Sequence, residues 1–493
     1  MTLLDEVWAA APFKTKSALV RHVESTVNAW GGGLATALLT ARRGHRVAVF
    51  ERDARAPGGS GSTLDDDFFR WRRPGVPQAA QPHLMLGAAR SVLRAEAPDV
   101  YDAIMRLGAR ERHELDWFQP RPPARPGDED LVMVQARRIV VETALTDALR
   151  AEPRAVLRYG EPVTGLLVDA SCVPPRVRGV QTERGAYEAE LVIDAGGRRC
   201  ASGEWLTGAG CRPPVVERHR TGIAYFCRWY RLPDGRADGP ARPWRVSGGT
   251  FAGCAVFPAD NGVFAVTLFV HTEDPSRGAL RDPAVFEAAA RTFPPGAAWL
   301  ELGARPLSPV LATAGLDNRW SALVDEQGPI ATGMIGVGDT VTHTNPTLGQ
   351  GMSLALWAAR RVARETDRGS GEPGREPGSP DFVAEHYAWA LRTLKPWFDF
   401  QVMTDRAIGE RFALREFRAG PPRQMAALFE CAQEDPEVMR ARARVRHLAA
   451  PPAEAYGAPE VRARVAAWLA AHPDYVPNTV GPGRREWEKI TAP

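Results

Sequence analysis

The sequence predicts an α/β fold in which a mostly parallel sheet is interrupted by an antiparallel sheet and followed by helices. A glycine-rich turn, a helical run and a strand follow one another in residues 31–51, and a second strand–turn–helix stretch occupies residues 330–363. Short, alternating, aromatic-rich strands lie between them, in residues 221–271. Residues 381–471 have a helical pattern. Strands joined through helices favour a parallel sheet, whereas strands joined by short turns favour an antiparallel one.

Length and composition limit the class of protein. With 493 residues, 44% of them apolar and 25% charged, the chain can form two or three globular domains. The net charge of +3 gives no strong field for binding nucleic acid or an acidic membrane. No apolar run is long enough for a membrane span, and no signal peptide is evident. We therefore expect a cytoplasmic protein without a nucleic-acid partner.

The cysteines give no indication of a metal site. They are scattered along the chain, without a C-x-x-C pair and without a metal-like spacing to histidine. Such cysteines are typical of free thiols in a reducing cytoplasm. We expect no metal, and free thiols at Cys172, Cys200, Cys211, Cys227, Cys254 and Cys431.

The first chemical motif is a β-α-β pattern. Gly31, Gly32 and Gly33 precede the helical run 34–43, and the next strand ends at Glu51. In such a pattern a pyrophosphate binds at the helix N-terminus and the acid binds the adenosine ribose. The pattern therefore predicts a dinucleotide site at these residues.

The glycine fingerprint of this motif is incomplete. Gly33 fits the third glycine of G-x-G-x-x-G, but the first two would fall on Asn28 and Trp30. The weak strand predicted at residues 23–30 is also unusually polar for a buried parallel strand. Three explanations stay open: a shortened turn in which Gly31 to Gly33 serve, a start that is not the original one, or a reduced affinity for the cofactor.

Two further motifs place an aspartate at the end of a strand. The strand 191–193 leads into Asp194, which begins a D-x-x-G-R pattern. The strand 330–337 leads into Gly338-Asp339, and an N-P-x-x-G-x-G-M-S turn then opens a helix. An aspartate at a strand tip can accept hydrogen bonds from ligand hydroxyls, and a glycine-containing turn lets backbone N–H groups approach a ligand. The helix dipole favours negative charge beside that turn.

The stretch 338–353 resembles the second flavin-contacting motif of the single-component FAD-dependent monooxygenases. These aromatic hydroxylases and epoxidases share the para-hydroxybenzoate hydroxylase fold. The resemblance implies a Rossmann-like FAD-binding domain of the glutathione-reductase type, an inserted antiparallel substrate domain and a C-terminal helical region. The implied bounds are 1–199 with 318–366 for the FAD domain, 200–317 for the substrate domain, 367–380 for a linker and 381–493 for the helices.

The resemblance also implies residue roles. Asp339 would bind the ribityl chain, and the backbone after Pro346 would lie near the pyrimidine ring of the flavin. Asp194 would contact FAD and NAD(P)H, and Arg138 would approach FAD in an R-x-x-x-E-like pattern. The residues expected to contact FAD are Gly31, Gly32, Gly33, Glu51, Arg52, Arg138, Asp194, Asp339, Pro346, Gly349, Gly351 and Met352.

Three residues are candidates for catalysis: His83, His343 and Asn345. The two in the 338–353 stretch lie nearest the expected flavin edge. His83 follows residues 72–78, which resemble a family segment that runs towards the isoalloxazine. A helix-start or surface histidine is the alternative for His83, and an exposed helix-capping arginine is the alternative for Arg138.

The family chemistry implied here is oxygen transfer. NAD(P)H reduces FAD, O2 adds to give a C4a-hydroperoxide, and the distal oxygen passes to an aromatic ring or an alkene. The partner would be a small hydrophobic, aromatic, polyketide-like or terpenoid-like molecule. Candidate pocket walls, each equally compatible with plain core, are Tyr225, Trp229, Phe251 and Phe257. The C-terminal helices could cover the active site or form a homodimer, and both alternatives stay open.

Three rival functions share these motifs. Halogenases of this fold carry a W-x-W-x-I-P stretch and a catalytic lysine, but no lysine lies between Lys16 and Lys395. A flavin-dependent reductase or dehydrogenase would use the same flavin motifs. A degenerate, flavin-free binding protein would account for the irregular turn at residues 28–33.

Overall fold

The computed structural model describes residues 18–23, 29–58, 63–71, 73, 79–234, 236–367, 376–413, 423–477 and 480–492, with side chains from residue 32 onwards. The strands, in chain order, are β1 (Ala18–Val23), β2 (Arg46–Glu51), β3 (Arg110–His113), β4 (Val132–Gln135), β5 (Ala155–Tyr159), β6 (Val163–Asp169), β7 (Arg176–Thr182), β8 (Gly185–Glu188), β9 (Leu191–Asp194), β10 (Val215–Arg220), β11 (Ile223–Arg231), β12 (Val246–Gly248), β13 (Ala252–Pro258), β14 (Val263–His271), β15 (Arg305–Pro306), β16 (Leu311–Thr313), β17 (Asp317–Ala322), β18 (Val324–Asp325), β19 (Gly328–Pro329), β20 (Met334–Gly336) and β21 (Thr342–His343).

The α-helices follow the same chain order. They are α1 (Ala29–Arg42), α2 (Leu64–Phe69), α3 (Gly87–Glu96), α4 (Pro98–Arg106), α5 (Arg138–Arg150), α6 (Ser202–Gly208), α7 (Pro283–Arg291), α8 (Pro294–Leu300), α9 (Gly351–Glu365), α10 (Pro380–Thr393), α11 (Lys395–Ala413), α12 (Arg423–Glu434), α13 (Pro436–Arg446), α14 (Pro452–Gly457), α15 (Pro459–Ala471) and α16 (Arg484–Thr491).

A five-stranded parallel sheet forms the centre of the first domain. Its strand order is β20-β9-β1-β2-β5, and each neighbouring pair is parallel. The run Val47–Phe50 in β2 is fully apolar and buried, as expected for a strand covered on both faces. The chain changes direction between β1 and β9, so the crevice at the carboxyl ends of these two strands is the expected ligand position.

The start of this domain differs from the prediction. The strand lies at Ala18–Val23 rather than at residues 23–30, and Ala29 already belongs to α1. The apolar Ala18–Val20 stretch suits a parallel strand better than the polar residues after it. Gly31, Gly32 and Gly33 therefore lie inside α1 and do not form the turn before it, so that prediction was wrong. Asn28 lies outside the described residues.

Gly32 has a packing role within α1. A Cβ atom at this position would lie 2.8 Å from the Cβ of Ala355 in α9. The missing side chain thus allows α1, from the first motif, to pack closely on α9, from the second. Close helix packing is one of the functions that glycines serve in dinucleotide-binding folds.

The second sheet is antiparallel, as predicted. Its order is β12-β13-β14-β11-β15, with β16 also paired to β11. Asn261 at φ +52° and Gly262 at φ +67° form the tight turn between β13 and β14, where both central residues of a twisted hairpin need positive φ. The helices α7 and α8, which were not predicted, pack on the sheet, and Phe286 and Trp299 are fully buried there.

The C-terminal helices pack against the first domain. His386 of α10 donates from Nε2 to the carbonyl of Gly336 at 2.9 Å, and the Gly336 N–H donates to the Tyr387 hydroxyl at 3.0 Å. Both bonds reach β20, two residues before the 338–353 stretch. The helices therefore support the strand from which that stretch begins.

The end of the chain forms a short helix. This helix is α16, whose Trp487 is fully buried. The Trp487 ring lies 5.7 Å from the Phe251 ring, and its Nε1 donates to Ser276 Oγ at 2.7 Å. The burial of this tryptophan and the ion pair between Arg484 and Asp274 at 2.6 Å hold α16 against the antiparallel sheet and its helices.

The sequence predicts no membrane span, no metal site and no disulfide. None of the helices among the described residues is long and apolar enough to cross a membrane. The same residues contain no group of three or more His, Cys, Asp or Glu side chains suited to a metal ion. All six cysteines are unpaired.

Candidate functional site

Three predicted acidic residues meet at one edge of the parallel sheet. Glu51 ends β2, Asp194 ends β9, and Asp339 follows β20 by three residues. Their exposed fractions are 3%, 0% and 1% respectively. Because parallel strands end at the same edge, this is where the fold places ligand-binding residues.

Asp339 forms a pair with His343. A short turn at Gly338–Thr340, with Gly338 at φ +59°, carries the aspartate back towards the sheet edge. His343 donates from Nδ1 to Asp339 Oδ2 at 2.9 Å. This bond orients the histidine ring and leaves Nε2 as the atom that can face a ligand.

The loop around this pair contains several buried polar atoms without a protein partner. Within the described part of the chain, five side-chain atoms of this loop have no hydrogen bond: Thr342 Oγ1, His343 Nε2, Asn345 Oδ1, Gln350 Oε1 and Ser353 Oγ. An unsatisfied buried polar group costs about 1–3 kcal/mol, so five of them within twelve residues indicate a polar ligand. A flavin with its ribityl chain offers both donors and acceptors, and these residues fit it.

The turn from Pro346 to Gly349 presents its backbone to the same candidate site. Pro346 opens a 3-10 turn that ends at Gly349, which has φ +67°. Gly351 and Met352 then begin α9, and no side chain caps this helix end. An uncapped helix start offers N–H groups and a favourable dipole to negative charge, such as the charge on a reduced flavin.

Asn345 lies in a buried network centred on Asp405 of α11. Asp405, 1% exposed, accepts hydrogen bonds from Asn318 Nδ2 at 2.7 Å, Asn345 Nδ2 at 3.0 Å, Thr347 Oγ1 at 2.6 Å and Gln401 Nε2 at 2.9 Å. Burial raises the pKa of the Asp405 carboxyl, and these bonds partly offset that rise. The network fixes the side-chain amide of Asn345 and the turn behind it.

Arg138 belongs to a second buried network. Arg138 donates from Nε to Glu142, and Arg73 donates from Nη1 to the same carboxylate at 2.8 Å. Burial lowers the pKa of Arg138, and Arg73 adds to this shift, whereas Glu142 and Asp339 oppose it. Arg138 is 3% exposed, so the alternative of an exposed capping arginine is wrong. Its charge also interacts with that of Asp339 at the sheet edge.

His83 lies within electrostatic range of the same groups. It donates from Nδ1 to the Gln81 carbonyl at 2.9 Å. Burial and then the charge of Arg138 lower the pKa of His83 to about 4, with Asp339 among the opposing charges. The ring is partly exposed and neutral at pH 7. The charges of Arg138 and Asp339 both act on His83.

Three other residues that were predicted to contact FAD lie at this edge of the parallel sheet: Glu51, Arg52 and Asp194. Glu51 accepts from the Asp53 N–H at 2.9 Å, and Arg52 is exposed. Asp194 accepts from the Gly196 N–H at 2.7 Å and from the Ser202 hydroxyl. Asp194 thus stabilises the turn of its own motif, and its contact with a ligand stays a prediction.

A cleft lies next to this site. It opens between the β3–β4 hairpin, strands β12 and β13, and the end of α13. Trp117, Trp244 and Phe257 form much of its apolar wall, and Leu84 is also part of the lining. A Cβ atom on Gly349 would lie 2.8 Å from Leu84 Cδ1, so Leu84 separates the cleft from the turn at residues 346–349, the candidate flavin-side turn.

Only one of the four candidate wall residues lines this cleft, namely Phe257. The Tyr225 hydroxyl forms a hydrogen bond with Thr347 Oγ1 at 2.8 Å. Because Thr347 also donates to Asp405, Tyr225 belongs to the Asp405 network. Trp229 packs 5.0 Å from Phe68, and Phe251 packs against α16. The last two are core residues.

Sequence reasoning missed Asp405, although a signal was present. Phe398, Gln401, Asp405 and Gly409 are all buried and recur at helical spacing along α11. Two polar residues on an otherwise apolar helix face indicate a buried hydrogen-bond network. Trp117, Arg112 and Arg245 of the cleft carry no comparable signal, because the fold brings them together from separate segments.

Comparison with known proteins gives one partial sequence match and many structural ones. No protein-family model matches the chain. Protein Rv3254 of Mycobacterium tuberculosis is 29% identical over 261 residues, which are 50% of this chain and 50% of the relative. The chain therefore spans about half the length of this curated relative.

The solved structures that resemble this one include monooxygenases and flavin-dependent enzymes. PqsL, a probable FAD-dependent monooxygenase from Pseudomonas aeruginosa, has a TM-score of 0.57 and 15% identity over 81% of this chain and 98% of its own. The p-nitrophenol 4-monooxygenase PnpA from Pseudomonas putida DLL-E4 has a TM-score of 0.58 and 16% identity over 87% and 96%. The flavin-dependent brominase Bmp2 has a TM-score of 0.54 and 12% identity over 93% and 99%. The chain thus has the fold of the FAD-dependent monooxygenases.

Proposed function

We propose that this protein is an FAD-dependent monooxygenase that hydroxylates or epoxidises a small aromatic, polyketide-like or terpenoid-like molecule, using NAD(P)H and O2. Its FAD domain would be of the glutathione-reductase type. The observation that carries this proposal is the loop from Thr342 to Ser353, where five buried polar atoms lack a protein partner beside Asp339. That loop lies at the carboxyl ends of the strands of the parallel sheet, next to an aromatic cleft.

Bound FAD would supply the oxygen-transfer chemistry, and this chain would bind and orient it. His343, held by Asp339, would offer Nε2 to the flavin or its ribityl chain. Asn345 would offer Oδ1, because its amide nitrogen already donates to Tyr225 at 2.7 Å and to Asp405 at 3.0 Å. The uncapped start of α9 would stabilise negative charge on the flavin.

Arg138 and His83 would lie on the opposite side of the flavin site. His83 is neutral at pH 7, and its Nδ1 is engaged with the Gln81 carbonyl, so its Nε2 would accept a hydrogen bond from the flavin or the substrate. Arg138 would supply the fixed positive charge. The cleft beyond Leu84 would hold the substrate and exclude water.

One structural neighbour supports a small aromatic substrate. PqsL has been solved in complex with 2-aminobenzoylacetate, with 16% identity and a TM-score of 0.56 to this chain. The aromatic wall of Trp117, Trp244 and Phe257 is compatible with such a ring.

Among the rivals, a halogenase has less support than an oxygenase. Lys395 pairs with Glu217 at 3.1 Å and Asp399 at 2.5 Å, and it does not line the cleft. A reductase or dehydrogenase acting without O2 remains the second candidate, because the same loop would serve it. A flavin-free binding protein would leave the five buried polar atoms without a ligand.

The test begins with the flavin content of the purified protein. We expect a visible flavin spectrum, and heat should release FAD in a ratio close to one per chain. NADH or NADPH oxidation should consume O2 and should increase with a substrate. A protein that stays colourless after incubation with FAD refutes the proposal, and substrate turnover without O2 consumption favours the reductase.

A variant pair tests the loop itself. His343→Gln should lower FAD retention, because it removes the ring that Asp339 orients. His219→Gln is the control, since His219 lies on β10 and pairs with Glu217 outside the loop. Equal FAD retention in both variants would contradict the assignment of His343.

A further inference from the structure

One face of α11 points away from the rest of the protein. The opposite face packs on the protein and contains the buried residues Trp397, Phe398, Gln401, Asp405, Gly409 and Phe412. On the outward face, 56% of the Asp399 side chain is exposed, and Met403 is 59% exposed. Arg406 and Glu410 are exposed as well. Met403 is therefore a large apolar side chain that the folded chain does not cover.

The outward face of α11 carries a regular pattern of charge. Its residues recur at helical spacing, and four of them are exposed while two are half-buried. We call these residues the outer stripe: Lys395, Asp399, Val402, Met403, Arg406 and Glu410. With 3.6 residues per turn, they fall within an arc of about 100° around the helix axis. Along the stripe the order is cation, anion, two apolar residues, cation and anion.

The outer stripe is complementary to its own reversed copy. The spacing of its charges is symmetric about the midpoint between the two apolar residues. A two-fold axis at this midpoint would place Lys395 opposite Glu410 of the partner subunit. It would also place Asp399 opposite the partner's Arg406. A parallel copy would instead align like charges, which is unfavourable. The charge pattern therefore matches an antiparallel second copy of this chain.

The ion pairs within the chain leave the outer stripe able to accept a partner. Lys395 Nζ contacts Asp399 Oδ1 at 2.5 Å and Glu217 Oε2 at 3.1 Å. The carboxylate of Asp399 is exposed, so it can accept a second cation beside Lys395. At the other end of the stripe, neither Arg406 nor Glu410 forms an ion pair with any described residue. The charges at that end are therefore available to a second copy.

The size of the outer stripe sets the expected strength of the contact. From Lys395 to Glu410 the stripe is about 22 Å long, at 1.5 Å per residue. One pair of helices of this length buries less than the roughly 1,200 Å² of total surface that is typical of stable complexes. The charge pairs are exposed, so salt would screen them. The expected association is therefore weak, reversible and sensitive to salt.

We propose that two copies of this chain associate through the outer stripe, with their α11 helices antiparallel and the two-fold axis between Val402 and Met403. Val402 would pack on Met403 of the partner subunit, with two charge pairs on each side of the axis. The unbranched side chain of methionine adapts readily to such a contact. This inference goes beyond the proposed function and does not depend on it. Asp405 lies on the opposite face of α11, so association leaves the Asp405 network unchanged.

Sedimentation velocity of the full-length protein tests this association. In a low-salt buffer we expect a monomer at about 1 μM and a dimer at about 200 μM, as for the weak end of the range of interfaces. The dimer fraction should fall as salt is added. Met403→Glu should remain a monomer at both concentrations, because two carboxylates would meet beside the two-fold axis. Met425→Glu is the matched control, since Met425 is a 38% exposed methionine on α12.

A pair of charge reversals tests the register. Asp399→Arg would set like charges against the partner's Arg406, and Arg406→Asp would set like charges against the partner's Asp399. Each variant alone should associate at least about tenfold more weakly than the wild type. An equimolar mixture of the two variants should recover the dimer, because every charge pair between the two different chains is then of opposite sign. A contact through another face of the protein would not show this recovery.

The outcomes separate this inference from the proposed function. A monomer at every concentration, a dimer that survives Met403→Glu, or a mixture that associates no better than its components would each overturn the inference. Circular dichroism checks the folding of each variant, and if Met403→Glu folds poorly, the mixture of the charge reversals still decides. A monomeric protein with bound FAD would retain the function and refute the interface. A dimer with this charge dependence but without FAD would retain the interface and refute the function.

Discussion

The substitution Asp405→Asn tests how the C-terminal helix α11 controls the flavin-side loop. The carboxylate accepts four hydrogen bonds, two on each oxygen: Asn345 and Thr347 donate to Oδ1, while Asn318 and Gln401 donate to Oδ2. An asparagine has one acceptor oxygen, and its NH2 group would face two donors. The change keeps the shape and removes half of the accepting capacity.

The magnitude follows from the hydrogen bonds lost. A hydrogen bond to a charged group contributes about 1.5–3 kcal/mol, so two lost bonds would cost about 3–6 kcal/mol. Two effects reduce this cost. Burial raises the pKa of the Asp405 carboxyl, so the neutral amide recovers part of the desolvation energy. The Thr347 hydroxyl can also donate to Tyr225, which lies 2.8 Å away. We therefore expect a net loss of about 3 kcal/mol in the free energy of unfolding.

Two assays check this reasoning. Chemical unfolding should show the lower stability, and FAD retention should fall by about tenfold, equal to about 1.4 kcal/mol at the loop. Asp399→Asn is the control, because Asp399 lies on the same helix with 56% of its side chain exposed. If Asp405→Asn matches both the wild type and this control in stability and in FAD retention, the network does not hold the loop.

Two other predictions concern the flavin-side turn and the strand that leads to it. Gly349→Ala should lower FAD retention and stability more than Gly315→Ala does. Both positions have φ near +70°, but of the two only Gly349 has a neighbour, Leu84, within contact distance. Thermal unfolding and FAD release measure the difference, and equal effects of the two substitutions would show that backbone strain alone is responsible. Burial lowers the pKa of His386 to about 4 from 6.5, so the unfolded chain binds the proton first as pH falls. Stability should therefore decrease from pH 6.5 towards pH 4, by about 2 kcal/mol between pH 7 and pH 5. His386→Gln should flatten this slope in denaturant unfolding, and an unchanged slope would show that the ring does not stay neutral.

The parts of the fold that could be predicted are those where local pattern and tertiary environment agree. The apolar run of β2 predicts a buried parallel strand, and the Asn261-Gly262 pair predicts the hairpin turn between β13 and β14. The aspartate after β20 was predicted at the sheet edge for the same reason, since its position follows from strand order. Each of these inferences uses residues that are close in sequence.

The parts that could not be predicted depend on contacts between distant segments. Three consecutive glycines before an apolar helix are typical of a turn, but Gly32 lies inside α1, where its missing side chain lets Ala355 of α9 approach. The helix α16 is short and polar, and contacts with a distant segment hold it: Trp487 packs against Phe251, and Arg484 pairs with Asp274 at 2.6 Å. Glycine propensity and helix propensity are both weak compared with such packing.

Contacts between distant segments also determine what the C-terminal helices do. The sequence left open whether they cover the active site or form a dimer interface. In the structure, α10 forms hydrogen bonds with the backbone of Gly336 on β20. Asp405 of α11 accepts hydrogen bonds from Asn345 and Thr347 in the turn. Both contacts support the candidate flavin loop, while α13 contributes Arg446 to the aromatic cleft. A loop held at the strand before it and at the turn within it keeps its unpartnered polar atoms aligned without a ligand, which is how a preorganised site reduces the cost of binding.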